Sequence, residues 1–369
     1  DGDDLGATWS KESTTFKVWA PTAAGVKVNL YKGGEEGKDD LIESHDMESD
    51  DKGVWEVKVD GDLNGTYYTY TADFGDTQNE ACDPYAKTVG VNGDRAMVID
   101  MDSTNPAGWD NDSNPNKNLK NTDVSIYELH VRDLSSDASS GIKNTGKYLG
   151  LTETGTTNSK GQSTGLDHIK ELGITHIQLN PVYDYATVDE TKLDTNQFNW
   201  GYDPKNYNSP EGSYSTDPYN GDVRVKEFKE MVKTLHDNDI SVVMDVVYNH
   251  TYSTDYCYNK LVPDYFYRPG SNGSGCGNDV ASERAMVRNF IVDSVAYWAK
   301  EYHIDGFRFD LVGLIDVQTI KEIRAALDEI DPSIIIYGEG WSMTTTTTKE
   351  GTALSTQTNA VNLGNFGMF

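Results

Sequence analysis

The chain has 369 residues and a formal net charge of -29 at pH 7, from 60 acidic and 31 basic side chains. Such a surface repels nucleic acid and anionic membranes, so we expect neither nucleic-acid binding nor attraction to a membrane. No stretch of 18 apolar residues occurs, so membrane insertion is not expected either. The length allows two or three domains and at least one large core.

Residues 1–105 predict an antiparallel β-sandwich. Short segments in this region alternate apolar and polar residues, and turns rich in Gly and Asp separate them. The clearest such segments are residues 14–20, 26–30, 55–59 and 68–74. Because no helical periodicity interrupts them, the simplest arrangement is two packed sheets, each with one buried face.

Residues 106–121 are polar and rich in Asn, Asp and Pro, which predicts a linker or covering loop. Residues 122–369 then alternate strand and helix patterns. The predicted strands are 124–131, 175–179, 240–247, 305–310 and 334–339, and the predicted helices are 166–172, 225–235, 285–302 and 317–330. This alternation predicts a parallel α/β sheet with right-handed crossovers. Five strands suffice for a doubly wound sheet but not for a closed eight-stranded barrel.

Two carboxylates, Asp310 and Glu339, each close one of these short apolar strands. A charge at the end of a buried strand is costly unless it is paired or has a chemical role. In a parallel barrel the C-terminal strand ends are where chemistry occurs. Two such carboxylates indicate the acid/base or nucleophile pair of a glycosidase.

The neighbours of these carboxylates allow two interpretations each. Arg308 lies two residues before Asp310 and shares its face, so it either keeps a nucleophile ionised or forms a structural ion pair. Glu339 lies between Gly338 and Gly340 and next to Trp341. Apolar and aromatic surroundings would keep this carboxyl protonated, as a general acid requires, whereas a loop carboxylate would face water.

Two further segments carry polar and aromatic groups. Residues 245–250 end a predicted strand with Asp245, Asn249 and His250, although a lone histidine is more often structural than catalytic. Residues 199–204 form a turn that contains Tyr202 and Asp203, either a platform for stacking sugars or an ordinary aromatic corner. Each segment is ambiguous alone.

Together, four segments resemble the signature blocks of the α-amylase superfamily, glycoside hydrolase family 13, and are most similar to those of type I pullulanases. These segments are residues 198–204, 245–250, 306–310 and 337–341. The similarity extends from about residue 8 to the end of the chain and includes residues 82–86, 126–133 and 277–279. It implies an incomplete (β/α)8 TIM barrel, strands one to five, over residues 122–369. The preceding sandwich resembles a family 48 carbohydrate-binding module.

The resemblance implies a retaining hydrolase for α-1,6-glucosidic branch linkages in pullulan, amylopectin and limit dextrins. By the same resemblance Asp310 is the nucleophile and Glu339 is the acid/base. The residues implied to bind the sugar are Tyr202, Asp203, His250, Arg308 and Trp341. Asp245 and Asn249 are implied to support the site.

Two departures from the family pattern affect these expectations. Asn180 stands where an apolar residue is expected, which puts little at risk because it borders the exit of the second strand. The serious departure is that a later His-Asp block, which in the family supplies a transition-state-stabilising aspartate, has no counterpart in the sequence. We therefore expect this chain to be inactive alone, or to be completed by the C-terminal part of the same enzyme as a separate chain. One alternative is an isoamylase-type or amylopullulanase-type debranching enzyme, which residues 311–313 and 337–341 disfavour. The other is a noncatalytic glucan-binding fragment, which the retention of both Asp310 and Glu339 disfavours.

No cofactor is expected to be required. Asp-rich segments such as residues 1–4 and 48–51 leave structural calcium open, although a solvated acidic surface is the simpler interpretation. Cys257 and Cys276 either form a bridge or, with Cys82, remain free thiols. Because the implied substrate is a polymer, we expect an extracellular or cell-surface location.

Overall fold

The computed structural model describes residues 3–369, so residues 1 and 2, which begin the predicted sandwich and one acidic segment, lie outside it. The N-terminal part contains nine strands in two antiparallel sheets, ordered β1-β2-β6-β5 and β4-β3-β7-β8, with β9 on β7. The strands are β1 (Gly6–Trp9), β2 (Ser13–Trp19), β3 (Gly25–Tyr31), β4 (Leu41–Asp46), β5 (Glu48–Ser49), β6 (Val54–Asp60), β7 (Tyr67–Asp73), β8 (Gln78–Ala81) and β9 (Ala96–Met97).

The predicted sandwich is confirmed. The alternation of apolar and polar residues along its strands explains why each sheet buries one face. Phe16 and Val18 of β2 are buried while their neighbours are partly exposed, so β2 buries one face. Phe16 meets Tyr68 of β7 edge to face, with ring centroids 5.0 Å apart, which joins the two sheets. The strands β1, β4, β5, β8 and β9 were not predicted. β1, β5, β8 and β9 have two to four residues, too few for a clear period. β4 has six residues but buries none of them, so its sequence lacks a regular apolar alternation.

The second part is an open, curved parallel sheet of six strands ordered β10-β11-β14-β15-β16-β17, with a separate hairpin β12–β13. Its strands are β10 (Ile126–Leu129), β11 (His176–Leu179), β12 (Tyr183–Tyr185), β13 (Pro204–Pro210), β14 (Ser241–Val246), β15 (Gly306–Phe309), β16 (Ile335–Gly338) and β17 (Gly367–Met368). The helices are α1 (Gly165–Glu171), α2 (Gly221–Asp237), α3 (Cys257–Leu261), α4 (Ala285–Glu301) and α5 (Val317–Ile330).

This sheet confirms the predicted incomplete barrel, with one correction to the strand count. We predicted five strands, and the structure adds β17, which pairs in parallel with β16 through Tyr337–Gly367 and Gly338–Met368. A strand of two residues has no hydrophobic period, so only its partner reveals it. Phe369, which follows β17, accepts a hydrogen bond from the Gly340 amide and donates one to the Gly338 carbonyl.

The helices cover the outer face of the sheet with apolar side chains. Trp298 of α4 is fully buried against Phe228 of α2 and Tyr302, and its indole N–H donates to the Tyr207 carbonyl. Burying an aromatic side chain of this size contributes several kcal/mol to folding. None of the helices within residues 3–369 has the length and hydropathy that crossing a membrane requires.

Residues 106–121, predicted as a linker or covering loop, lie against the N-terminal ends of the parallel strands. We call them the covering segment. Asn116 donates to the Thr175 carbonyl and the Ser241 hydroxyl, next to the starts of β11 and β14. Asp112 is 2.7 Å from the ring of His236, at the end of α2. The covering segment is therefore part of the packed structure at the face opposite the strand ends that carry the two carboxylates.

The sandwich also docks on the second domain through its aromatic residues. Trp19 meets Tyr265 with ring centroids 5.1 Å apart. The Tyr67 hydroxyl donates to the Tyr219 carbonyl and accepts from the Gly221 amide at the start of α2. These rings are thus occupied by contacts with the barrel domain.

Candidate active site

Strand register brings the polar side chains together. Asp245 of β14 lies opposite Arg308 of β15, and Arg308 lies opposite Tyr337 of β16. Residues opposite each other in a parallel sheet share a face and are about 5 Å apart. Asp310 and Glu339 follow the ends of β15 and β16, so both reach the same C-terminal edge.

Arg308 is the centre of the site because its guanidinium contacts three carboxylates. One nitrogen, Nη1, is 2.9 Å from Asp245 and 3.0 Å from Asp310, and the other, Nη2, is 2.6 Å from Glu339. Burial disfavours the charged guanidinium, but the three carboxylates outweigh burial and raise the pKa of Arg308 above its ordinary value. Arg308 is therefore a permanent cation, and its guanidinium contacts both Asp310 and Glu339.

Asp310 is held from a second side by Asn249. The Asn249 side-chain N–H₂ donates to both the carboxylate and the backbone carbonyl of Asp310, each at 2.9 Å. His250 orients this amide through a 2.7 Å contact with Asn249 Oδ1, and its other nitrogen is 2.8 Å from the Tyr202 carbonyl. Burial lowers the pKa of His250, so the ring is neutral at pH 7.

Asp245 is fully buried between Arg308 and Tyr202. The Tyr202 hydroxyl donates to Asp245 at 2.6 Å. Burial raises the pKa of Asp245 to about 7, although Arg308 acts in the opposite direction. Burial and Asp245 also raise the pKa of Tyr202, which therefore remains a neutral donor. Asp245 thus contacts Arg308, and Asn249 contacts Asp310.

Of the two interpretations of Glu339, the one with apolar surroundings does not match its contacts, which are polar. One carboxylate oxygen contacts Arg308, and the other accepts the backbone N–H of Leu311 at 3.0 Å. Packing requires glycine at position 338, because a Cβ there would collide with the Phe309 backbone, whereas a Cβ on Gly340 would meet the flexible Met368 side chain and displace it. The contacts of these glycines involve neighbouring strands, which the sequence pattern does not reveal.

Leu311 supplies its N–H to Glu339 because its backbone is left-handed, with φ 42° and ψ 50°. A residue other than glycine in this region is strained by about 1–2 kcal/mol, and such strain concentrates at functional sites. The chain thus turns sharply after Asp310 and directs an amide at the second carboxylate. No local sequence signal predicted this turn.

Two of the expected sugar-binding residues lie outside the Arg308 network. The Asp203 carboxylate accepts from the amide and hydroxyl of Thr187 and from Asn199, so it organises its own loop. Trp341 lies two residues after Glu339 and is 48% exposed. An exposed ring at the edge of a polar site is available for stacking on a ligand.

Asn180 was expected to be of little consequence, yet it borders the site. Its side-chain N–H₂ lies 3.2 Å from the Tyr202 hydroxyl and 3.4 Å from a Glu128 oxygen. Nearby, the Tyr337 hydroxyl donates to Gln178 at 2.6 Å across the inner face of the sheet. The available signal was the spacing of two between Gln178 and Asn180, which places both on the inner face.

Within residues 3–369, one group of acidic side chains comes close enough to share a metal ion: Asp184, Glu190 and Glu211, all buried. Arg224 is fully buried beside them, 3.0 Å from Glu190 and 3.7 Å from Asp184. The guanidinium supplies positive charge at the position where a metal ion would supply it. One guanidinium does not balance three carboxylates: burial raises the pKa of Asp184 to about 7 and that of Glu211 above its ordinary value. One oxygen each of Asp184 and Glu190 also has no hydrogen-bond partner in the described structure. Arg224 therefore supplies one cation to the cluster without neutralising it.

All three cysteines are free thiols, with Cys257 buried and Cys276 exposed, so the alternative of a bridge between these two is wrong.

The chain matches two protein-family models. Residues 4–86 match carbohydrate-binding module 48, described as the isoamylase N-terminal domain, and residues 70–268, more than half of the chain, match the α-amylase catalytic domain. Among curated proteins, pullulanase from Bacillus subtilis is 43% identical over 352 residues, which are 94% of this chain and 47% of that protein. Isoamylase SU1 from Zea mays is 31% identical over 84% of this chain and 42% of its own length.

Among solved structures, a pullulanase from Paenibacillus barengoltzii in complex with maltohexaose and α-cyclodextrin aligns with a TM-score of 0.96 and 51% identity. The alignment covers all of this chain and 57% of that one. The chain thus spans about half the length of the relatives it matches.

Proposed function

The chain belongs to the α-amylase family, and from that membership we propose that it is part of a retaining glycoside hydrolase of the pullulanase type. The proposed reaction is hydrolysis of α-1,6-glucosidic branch linkages in pullulan, amylopectin and limit dextrins. The observation that carries the proposal is that Asp310 and Glu339 share one guanidinium, Arg308. Such a contact is consistent with the short separation of a retaining pair, roughly 5–5.5 Å between the carboxyl groups.

Asp310 is proposed as the nucleophile because Arg308 and Asn249 leave it charged and fixed. It attacks the anomeric carbon and forms a covalent glycosyl-enzyme. Glu339 protonates the departing glycosidic oxygen and then accepts a proton from the water that releases the sugar. Binding of the sugar must loosen the Glu339–Arg308 contact, since a carboxyl that donates a proton cannot at the same time be held as an ionised partner.

The supporting groups are assigned by position. Tyr202 is proposed to stack on the sugar at the cleavage point, because its ring is anchored by Asp245 through its hydroxyl. His250 and Arg308 bind the hydroxyl groups of that sugar, and Trp341 stacks on the adjoining sugar. Asp203 acts through the loop it organises with Thr187. No cofactor is needed, because carboxyl side chains carry both the nucleophilic and the acid/base steps.

The proposed partner, besides the glucan, is a polypeptide that supplies further strands to the open sheet, since the relatives are about twice as long. An extracellular or cell-surface location is proposed from the size of the polymer alone. Calcium is proposed to be dispensable, because Arg224 already supplies one buried cation to the acidic cluster. EDTA should therefore leave the thermal midpoint unchanged, whereas a large drop would show a bound ion that the protein needs.

The test of the function is an assay of reducing ends with pullulan, glycogen and amylose. The chain is assayed alone and after addition of a polypeptide that carries the remaining strands. We expect turnover of pullulan only in the second case, and none with Asp310→Asn, which should still bind maltotriose. Preference for amylose would overturn the α-1,6 assignment, rapid turnover by the chain alone would overturn the need for a partner, and a normal rate for Asp310→Asn would overturn the nucleophile.

A further inference from the structure

The turn formed by residues 311–314, which follows Asp310, packs directly on the backbone of the segment that carries Glu339 and Trp341. Gly313 is buried in this turn, and its amide donates to the Glu339 carbonyl at 3.1 Å. Its Cα faces the Trp341 backbone. A Cβ built on Gly313 would lie 3.0 Å from the Trp341 carbonyl carbon, 3.2 Å from its nitrogen and closer still to its oxygen. Gly313 therefore leaves no room for a side chain.

The backbone conformation does not explain the glycine. The φ angle of Gly313 is outside the left-handed region that favours glycine, in contrast to that of Leu311 two residues earlier. Alanine would thus fit the local backbone, and the three heavy atoms nearest to its Cβ would all belong to the Trp341 backbone. Position 313 must lack a side chain because the backbone of Trp341 lies against it.

The 311–314 turn cannot retreat to relieve such a collision. Leu314 is fully buried, and its carbonyl accepts from Arg268 at 2.7 Å, while Arg268 is itself paired with Glu283. The opposite side gives way more easily, because Trp341 is followed by irregular backbone and is half-exposed. A side chain at position 313 would therefore displace Trp341.

We propose that Gly313 is a positioning residue that determines where Trp341 stands at the edge of the site, and thereby the affinity for the sugar next to the scissile bond. The inference rests on the proposed function for its ligand, an α-glucan. Its geometric part, the dependence of the Trp341 position on Gly313, is independent of that function. Gly313 acts only through the segment 339–341.

The geometric part is tested in this chain by ¹⁹F NMR after incorporation of 5-fluorotryptophan. The chain has seven tryptophans, and loss of one resonance in Trp341→Ala assigns the signal of interest. Gly313→Ala should shift this resonance. Gly25→Ala is the matched control, because a Cβ there meets only Asp73 at an ordinary 3.9 Å. An unshifted Trp341 resonance in a folded Gly313→Ala chain would overturn the inference.

The functional part is tested by titration with maltotriose in a double-mutant cycle. Loss of one aromatic contact should weaken binding about tenfold, so Trp341→Ala and Gly313→Ala should each show this loss. If Gly313 acts through Trp341, the double variant should be no weaker than Trp341→Ala alone. A further tenfold loss in the double variant would contradict the proposal, because a purely structural defect would add to the first.

Two further outcomes separate the proposals. If the unsubstituted chain does not bind maltotriose while Gly313→Ala still shifts the Trp341 resonance, the glucan function fails and the positioning role stands. If Gly313→Ala does not fold, hydrogen exchange of the Gly313 amide in the unsubstituted chain decides. Slow exchange supports the contact with Glu339, and exchange at the rate of an open loop refutes it.

Discussion

A buried histidine at the face opposite the active site leads to a quantitative expectation about stability. His236 lies between two carboxylates, with Nδ1 2.7 Å from Asp112 of the covering segment and Nε2 2.6 Å from Asp305, just before β15. Its side chain is 2% exposed. Burial opposes the charged imidazole, but the two carboxylates outweigh burial and raise the pKa of His236 to about 9. His236 is thus a cation that joins the covering segment to the sheet.

The direction of the pH dependence follows from this raised pKa. The folded protein retains the proton that the unfolded chain loses near 6.5, so the stabilisation is complete below pH 6.5 and is lost as the pH rises through 9. A rise from 6.5 to about 9 corresponds to about 3 kcal/mol. The other groups around the ring do not cancel this effect. Burial lowers the pKa of His176 to about 4, so that ring is neutral, and His303 contacts Asp112 from the far side.

The assay is urea unfolding of the unsubstituted chain and of His236→Gln between pH 6 and pH 10. At pH 6 the variant should be less stable by about 3 kcal/mol, and the difference should shrink towards pH 10. His168→Gln, in the short helix α1, is the control and should leave the pH profile unchanged. Parallel profiles for the unsubstituted chain and His236→Gln would refute the charged state that we assign to His236.

Three further substitutions test the polar network of the site and the buried ion cluster. Arg308→Met leaves the carboxylates around it without a cation and should lower the free energy of unfolding by about 3–5 kcal/mol in urea titrations; an unchanged midpoint would contradict the bridging role. Tyr202→Phe removes the hydroxyl from Asp245 and should cost about 1–3 kcal/mol by calorimetry, and a stability equal to that of the unsubstituted chain would show that the bond contributes nothing. Arg224→Met should lower the free energy of unfolding in urea by a similar amount, because it leaves Asp184 and Glu190 without their cation. A variant more stable than the unsubstituted chain would mean that these buried carboxyl groups are protonated.

Much of the fold could be predicted from local patterns. Alternation with a period of two identified the main sandwich strands, and apolar periods near 3.6 identified helices such as α4 and α5 with nearly correct bounds. The hairpin β12–β13 was missed because its second strand is polar and begins and ends with proline. The polar residues of this strand are buried because they form hydrogen bonds with other parts of the chain, as Asn206 does with Gly93 and Asp184. A sequence pattern does not show such partners.

The sequence by itself determined which residues carry charge at the strand ends, Asp310 and Glu339, because a carboxylate after a buried apolar run is conspicuous in one dimension. It also determined that Arg308 shares a face with Asp310, since two residues on one strand obey a fixed period. Only the tertiary structure decided that the same arginine also contacts Glu339 and that Gly313 packs against the backbone of Trp341. Those contacts join strands or turns that are about 30 residues apart, and their geometry depends on sheet register and on a strained turn at Leu311. Local propensity contains no information about either.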